Sequence, residues 1–147
     1  MDRQLNKITA VYCRLAHYDS DMDKDTAWIQ MKKLTQYVAE QGLAAPELFC
    51  DWGFNGLDGK RPQYQRMIQA IESGTISDLV VWDHSCLGRD TKMCGQFVEV
   101  FVPRHGVTFH TVRDGTIYTP QALNELAAQR EAIYALFQQT RRERGRR

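Results

Sequence analysis

Val11-Tyr12-Cys13-Arg14-Leu15-Ala16 is the stretch around which the other predicted elements of this chain are arranged. Its apolar residues predict a buried β-strand over 8–15 that runs out into a polar loop. In α/β proteins, ligands and reacting groups lie in the crevice beyond the carboxyl ends of the parallel strands. The stretch therefore predicts that Arg14, near the end of this strand, and Ala16, just beyond it, stand at a functional edge.

The composition is that of a soluble globular protein, with 147 residues, of which 43% are hydrophobic and 25% charged. A chain of this length suits one domain with one proper core. No apolar run is long enough to cross a bilayer, and the first residues are polar rather than signal-like. We therefore expect a cytoplasmic protein with no membrane partner.

The four cysteines lack the paired Cys-x-x-Cys spacing of a zinc or redox motif. A zinc site built from His84, Cys86 and Cys94 is a conceivable alternative. Cys13 and Cys50 fall in predicted strands, where free thiols behave as small apolar residues. Reduced thiols are the preferred interpretation, with no metal and no cofactor expected.

The net charge of +1 hides a basic C-terminal tail. Five arginines and one glutamate fall within 141–147, which leaves 14 basic and 17 acidic residues, a net charge of −3, in 1–140. Attraction to nucleic acid must therefore come from the tail or from a local cluster. The candidate DNA-binding residues of the tail are Arg141, Arg142, Arg144, Arg146 and Arg147. The alternative is a solvated helix end whose cations favour the C-terminal helix dipole.

Hydrophobic periodicity predicts four strands that alternate with helices and are followed by one more helix. The strands are predicted over 8–15, 47–50, 78–82 and 107–112, and the helices from a cap at Asp25 or Thr26, from Pro62, around 93–101 as far as Pro103, and from about Thr119. Gly42 and Gly74 stand where two of these helices are expected to end. Strands separated by helical crossovers predict an α/β fold, with a mostly parallel sheet flanked by helices.

Three loops follow three of the predicted strands, and each carries groups suited to an anion. These groups are Arg14 in the first loop, Asp51, Lys60 and Arg61 in the second, and Asp83, Ser85 and Arg89 in the third. Because a planar guanidinium donates two parallel hydrogen bonds, arginines gathered at one sheet edge suit a phosphodiester. The alternative is that they are solvated surface residues, some of them paired with nearby aspartates.

Several ordered motifs resemble those of the serine recombinases, the resolvase/invertase family, over 8–137. The motifs are Tyr12-Cys13-Arg14-Leu15, Gln30 in the first helix, Asp51-Trp52-Gly53-Phe54-Asn55-Gly56, Arg61-Pro62, and Ser85-Cys86-Leu87-Gly88-Arg89-Asp90. Asn124-Glu125 and the residues after them look like the long helix that follows the catalytic core in large, transposon-type members. The resemblance implies a resolvase-like fold, with a catalytic domain over 1–118 and a long dimerisation-type helix with the arginine-rich tail over 119–147.

The resemblance also implies DNA strand cleavage and rejoining, in which a serine hydroxyl attacks a backbone phosphate and leaves a free 3′ hydroxyl. Such chemistry needs an activated nucleophile and donors around the phosphorus. The positions implied to form the site are Arg14, Ala16, Gln30, Asp51, Arg61, Asp83, Cys86 and Arg89. The implied partners are the DNA backbone, contacted without sequence readout by this chain alone, and a second copy or an intact recombinase bound through 119–137.

Two of these positions depart from the family pattern. Ala16 stands where the family has its nucleophilic serine, and loss of a nucleophile costs roughly 10⁶ in rate in proteases. Cys86 stands where the family has an arginine, and a transition-state arginine is worth ~10³–10⁵ in phosphoryl transfer. His84 and Asn55 also differ from the residues that the family usually has at these positions. Natural degeneracy is therefore favoured over an engineered serine-to-alanine mutant.

Three functions therefore compete. The preferred one is a recombinase-family domain that no longer cuts DNA and acts by association with DNA or with another recombinase. The alternative is an active recombinase fragment, whose nucleophile would be Ser20, Ser85 or Cys86 after the loops rearrange. The third is a nucleotide-binding α/β domain, although no Gly-x-Gly-x-x-Gly or Walker loop follows a predicted strand.

Overall fold

The computed structural model describes residues 7–54, 61–88 and 91–145 of this chain. Within them, a five-stranded sheet has the strand order β2-β1-β3-β4-β5. The strands are β1 (Ile8–Leu15), β2 (Pro46–Trp52), β3 (Ile76–Val81), β4 (Thr108–Thr111) and β5 (Thr116–Tyr118). The helices are α1 (Asp21–Glu40), α2 (Pro62–Glu72), α3 (Thr91–Gln96), α4 (Val102–Arg104) and α5 (Pro120–Gly145), with a 3₁₀ turn at His84–Leu87 and a π-helical segment at Phe97–Phe101.

The sheet is mostly parallel, as the alternation of strands and helices predicted. β1 pairs in parallel with both β2 and β3, and β4 pairs in parallel with β3. The β1–β2 register sets Arg14 opposite Asp51 at the carboxyl ends of these strands. Because β1 lies between β2 and β3, its end stands between the loops that follow its two neighbours.

The fifth strand was not predicted. β5 runs antiparallel to β4 and places Tyr118 opposite Phe109, with 5.9 Å between the ring centroids. Its three residues are too few to show an alternating pattern, so pairing with β4 rather than local sequence defines this strand.

Each face of the sheet has its own core, because successive side chains of a strand point to opposite faces. Ala10 and Tyr12 of β1 belong to the core that α2 and the segment 97–102 cover. Val11 and Cys13 belong to the second core, which is completed from α1. Neighbouring residues of the Val11–Ala16 stretch thus serve opposite sides of the sheet.

Helix α1 begins earlier than the sequence predicted, which corrects the expected cap at Asp25 or Thr26. Its N-cap is Ser20, whose side chain accepts from Asp23 N at 3.1 Å, while Asp23 Oδ2 accepts from Ser20 N at 3.1 Å. This reciprocal pair is a capping box with aspartate at its third position. Asp21 and Asp23, which precede the predicted cap, therefore lie in the first turn of α1.

The helical segment over 91–104 changes geometry on its way to Pro103. The π-helical segment lies between α3 and α4, and Val102 N donates to Phe97 O five residues earlier. Because proline lacks an N–H, it disrupts a regular helix interior, and here it lies in the three-residue α4 that ends at Arg104. The predicted end of this helix near Pro103 is thus confirmed. The residues before it, Phe97–Phe101, are π-helical rather than regular α-helix.

Two predicted helix ends are confirmed by backbone angles. Gly42, after α1, has φ of 65°, and Gly74, after α2, has φ of 79°. These are left-handed values that glycine adopts without the Cβ penalty of other residues.

Helix α5 is anchored at its start and exposed further along. Leu123 is 1% exposed, whereas Ile133, Tyr134 and Phe137 are 56%, 65% and 68% exposed. Of these four apolar side chains, only Leu123 enters the core of this chain. Across 7–54, 61–88 and 91–145, none of the helices combines the length and the apolar character that crossing a bilayer requires.

Candidate active site

Arg14 ties the end of β1 to the two loops beside it. Its Nη2 donates to Ser85 O at 2.8 Å, its Nε donates to Cys86 O at 3.3 Å, and its Nη1 donates to Phe54 O at 3.3 Å. The bond to Phe54 reaches the loop after β2, and the other two reach the 3₁₀ turn after β3. The predicted position of Arg14 at the carboxyl edge of the sheet is therefore observed, and three of its N–H groups bind main-chain carbonyls.

Arg61, the residue before α2, is buried, with 4% of its surface exposed. Its Nη2 donates to Leu87 O at 2.6 Å, and its Nη1 donates to Tyr12 Oη at 2.9 Å and to Cys86 O at 3.3 Å. The guanidinium also lies over the ring of Tyr64, 4.1 Å from its centroid. These contacts hold a cation in the interior by hydrogen bonds and by its position over an aromatic face.

Asp51 joins Tyr12 to the start of α2. Tyr12 Oη donates to Asp51 Oδ2 at 2.8 Å, while the backbone N–H groups of Gln63 and Tyr64 donate to the two carboxylate oxygens at 2.9 Å each. A carboxylate at a helix N-terminus satisfies unpaired N–H groups and interacts favourably with the helix dipole. Burial raises the pKa of Tyr12 well above its ordinary value, so its hydroxyl stays protonated and donates to the carboxylate.

The 3₁₀ turn supplies three consecutive carbonyl acceptors to these two arginines. Ser85 O accepts from Arg14, Leu87 O accepts from Arg61, and Cys86 O accepts from both. Cationic donors that a phosphate would require are therefore aimed, in this structure, at protein carbonyls. The arrangement fixes the turn against β1 and α2.

Ala16 lies just beyond the end of β1, where the sequence predicted it. The carbonyl of the preceding Leu15 accepts from Gly53 N at 2.8 Å and from Phe54 N at 3.2 Å, which ties this end of the strand to the loop after β2. A methyl group is the whole side chain at this position, so the side chain of Ala16 contributes no nucleophile, proton donor or acceptor.

The three alternative nucleophiles are engaged elsewhere or buried. Ser20 caps α1, and Ser85 Oγ donates to Asp83 Oδ1 at 2.5 Å. Cys86 is 5% exposed, and burial raises the pKa of its thiol, which keeps the group protonated. Each side chain therefore has a local structural role in this conformation.

Asp83 is not joined to Arg14 or Arg61 by a hydrogen bond within the described ranges. It caps the 3₁₀ turn through Ser85 N at 3.0 Å, and its other oxygen accepts from Arg113 Nη1 at 3.2 Å. Burial acts to raise the pKa of Asp83, but the hydrogen bonds from Ser85 and Arg113 outweigh it and hold the pKa below its ordinary value. Asp83 thus stabilises the 3₁₀ turn and links it to Arg113, which lies in the connection between β4 and β5.

Gln30 lies on α1, as predicted, and its role stays a prediction. Its Oε1 is buried without a hydrogen-bond partner among the residues that the structure describes. Over the same residues, no hydrogen bond links its side chain to either arginine.

The remaining predicted site residues lie outside what the structure describes. Arg89 falls in the gap at 89–90, and Lys60 and Asn55 fall in the gap at 55–60. The tail side chains Arg141, Arg142 and Arg144 are not described, nor are Arg146 and Arg147. The expected phosphate and DNA contacts of these residues therefore remain predictions.

No group of three or more His, Cys, Asp or Glu side chains that could hold a metal ion occurs in the described part of the chain. The zinc alternative on His84, Cys86 and Cys94 thus has no such cluster there. Cys94 instead donates from Sγ to Gly88 O at 3.3 Å.

Tyr12 and Tyr64 are the site residues that sequence reasoning missed. Tyr12 connects Asp51 with Arg61, and Tyr64 lies under the Arg61 guanidinium. One signal was available for Tyr12, because a tyrosine inside a buried strand needs a partner for its hydroxyl. Nothing local marked Tyr64, whose contact depends on how α2 packs.

Comparison with known proteins adds a family and a fold. The model of the family "Resolvase, N terminal domain" matches residues 9–147. No curated protein matches the sequence.

Among solved structures, the N-terminal catalytic domain of TP901-1 integrase has a TM-score of 0.67 at 23% identity, covering 88% of this chain and 98% of that one. The C-terminal catalytic domain of ISC1926 TnpA, an IS607-like serine recombinase, has a TM-score of 0.61 at 22% identity, covering 88% and 83%. A resolvase family site-specific recombinase from Streptococcus pneumoniae has a TM-score of 0.59 at 20% identity, covering 96% and 100%. At these identities the likeness establishes the shared fold.

Proposed function

Because this chain belongs to the resolvase family of serine recombinases, we propose that it is a resolvase-type catalytic domain that does not cleave DNA and acts by association. The observation that carries the proposal is Ala16. Strand cleavage by this family requires a hydroxyl to attack the phosphorus. Ala16, two residues after Arg14 and just beyond β1, carries only a methyl group. No proton transfer or rotamer change supplies an oxygen at that position.

The hydrogen bonds of the arginines support the same proposal. A transition state for phosphoryl transfer is stabilised by donors already aimed at the oxygens on which charge develops. Arg14 and Arg61 instead donate to the carbonyls of residues 85–87, and Arg61 is buried. Cys86 also places a protonated thiol where the family has a further cation. Both the attacking group and part of the charge stabilisation are therefore missing.

Helix α5 supports action by association. Its exposed apolar residues are Leu126, Ile133, Tyr134, Leu136 and Phe137. An open groove of about 930 Å³ runs between α5 and the π-helical segment, with Val100, Ala127 and Tyr134 in its lining. Contiguous exposed apolar surface of this kind marks protein interaction sites. We assign 1–118 to the catalytic-type domain and 119–147 to the association helix with its basic tail.

The partner in this proposal is the same helix of a second copy or of an intact recombinase. The basic tail adds contacts with DNA phosphates that carry no base information. The chain then contributes a correctly folded but non-cleaving subunit to an assembly on DNA.

A trapping experiment tests the missing chemistry. The protein is incubated with nicked suicide DNA and resolved on a denaturing gel, beside an active relative that forms the covalent adduct. We expect no adduct from this chain. An adduct would overturn the proposal, and loss of that adduct in Ser85→Ala or Ser20→Ala would then identify the nucleophile.

Light scattering tests the association. We expect a dimer, or co-purification with an intact recombinase, that Phe137→Asp weakens at least tenfold. Ala128→Asp is the matched control, because it places the same charge on an exposed position of α5 away from the Leu126, Ile133 and Phe137 stripe. A strict monomer that captures no recombinase contradicts this part of the proposal.

A further inference from the structure

Cys13 and Cys50 face each other across the two strands that carry the candidate site. They are direct partners in the parallel register of β1 and β2, so their side chains leave the same face of the sheet. Adjacent strands lie roughly 4.8 Å apart. Disulfide-bonded cysteines have Cα atoms roughly 4.4–6.8 Å apart, so the strand spacing falls within the range for a bond.

The two thiols differ in access. Cys13 has no exposed surface and packs in the core that α1 completes, whereas Cys50 is half-buried on β2. In the described residues β2 is an edge strand of the sheet, and Cys50 keeps part of its surface exposed there. Interaction between the two thiols raises the pKa of Cys13 and lowers the pKa of Cys50. The more accessible thiol is therefore also the more easily ionised one.

We propose that Cys13 and Cys50 form an oxidisable dithiol site that closes to a disulfide when a peroxide reaches Cys50. The Cys50 thiolate attacks one peroxide oxygen, the O–O bond breaks, and the departing hydroxide takes up the proton that the Cys50 thiol released, which gives a sulfenic acid and one water. Cys13 sulfur then attacks the sulfenic sulfur, and the departing hydroxide takes the Cys13 proton to give a second water. Two thiols lose two electrons and two protons, and one hydrogen peroxide becomes two waters.

This bond would form next to the candidate site. Arg14 follows Cys13, and Asp51 follows Cys50, so the disulfide would tie β1 to β2 one residue before both side chains. The other two cysteines are placed differently. Cys86 packs in the opposite core from the 3₁₀ turn, and Cys94 donates to Gly88 O. The register therefore selects one pair of the four cysteines.

Peptide mapping of the oxidised protein tests the site without any variant. The folded chain is treated with hydrogen peroxide, quenched, denatured, alkylated with N-ethylmaleimide and digested with trypsin. We expect peptide 8–14 linked to the peptide that contains Cys50, with the link lost after reduction. Alkylation of both Cys13 and Cys50 after oxidation, or a link from either of them to Cys86 or Cys94, overturns the proposal.

Two serine variants sharpen the result. Cys50→Ser is expected to abolish the link, whereas Cys94→Ser, a half-buried thiol changed in the same way, is expected to leave its yield unchanged. If Cys50→Ser does not fold, peptide mapping of the unaltered chain still shows whether the link between Cys13 and Cys50 forms. Neither outcome depends on DNA cleavage, so the dithiol site and the proposed function stand or fall separately.

Discussion

Tyr12 Oη donates to Asp51 Oδ2 at 2.8 Å across 39 positions of the chain. The same hydroxyl accepts from Arg61 Nη1 at 2.9 Å. One buried phenol thus connects β1, the end of β2 and the residue that precedes α2. Stability of the candidate site therefore depends on Tyr12 as well as on its charged neighbours.

Tyr12→Phe is expected to lower the free energy of unfolding by about 1–2 kcal/mol, because it leaves buried polar partners without one hydrogen bond each. Urea denaturation followed by circular dichroism measures the change. Tyr18→Phe is the control, since Tyr18 is 37% exposed and stacks on Trp52 through its ring. The assignment of Tyr12 as a connector is wrong if the two variants are equally stable.

Arg61→Ala is expected to destabilise the fold by about 3 kcal/mol or more, because it leaves buried carbonyls and a buried hydroxyl without their donor. Arg66→Ala provides the comparison on the same helix. Arg66 forms an ion pair with Glu47 at 2.8 Å, but its side chain is 48% exposed, so a loss below about 1 kcal/mol is expected. Comparable losses from the two variants in urea unfolding would show that Arg61 is not a structural cation.

Asp83→Asn is expected to reduce the sensitivity of the fold to acid. Hydrogen bonds hold the folded-state pKa of Asp83 below its ordinary value of about 3.9, despite opposing burial. A depressed pKa contributes stability that is present above the unfolded-state pKa and is lost as pH falls through the folded-state pKa. The wild type should therefore lose more stability than the variant between roughly pH 4 and pH 2.

Thermal unfolding at pH 6 and at acid pH measures this difference. Glu72→Gln, at an exposed carboxylate at the end of α2, is the control and should follow the wild type. Parallel pH profiles of wild type and Asp83→Asn would contradict the assigned role of the Asp83 hydrogen bonds.

Leu123→Ala and Phe137→Ala are expected to separate anchoring of α5 from association. Leu123 is 1% exposed, so its truncation should cost about 2–4 kcal/mol of unfolding free energy. Phe137 is 68% exposed, so its truncation should change the unfolding of the dilute monomer by less than about 0.5 kcal/mol. Light scattering should show the reverse order, with Phe137→Ala weakening self-association more. Equal effects on monomer unfolding would place Phe137 in the core.

Much of the fold was predictable because its signals are local. The apolar run that forms β1, the proline at the start of α2 and the glycines after two helices each act within a few residues. Ser20 and Asp23 carry a local signal for the start of α1, because together they form a capping box. β5 had no such local signal, because its three residues become a strand only beside β4.

The candidate site likewise has features that the sequence predicts and contacts that it does not. The strand that precedes Arg14 predicts its place at the sheet edge, and the resemblance to the family's motifs marks Ala16 and Cys86 as departures. The partners of these residues were not predictable. Arg14 reaches Ser85 across 71 positions, and that pairing follows from strand order and loop packing.

The amino-acid sequence alone dictates that Ala16 carries no attacking oxygen, because a covalently absent atom is absent in every conformation. It also determined the alternation of strands and helices, since side-chain periodicity is a local property. The packing of the folded chain, in contrast, brings Arg14 and Arg61 to the carbonyls of residues 85–87 and sets Cys13 opposite Cys50. Hydrogen-bond partners and strand register depend on the packing of distant segments, because donors and acceptors meet only after the chain has folded.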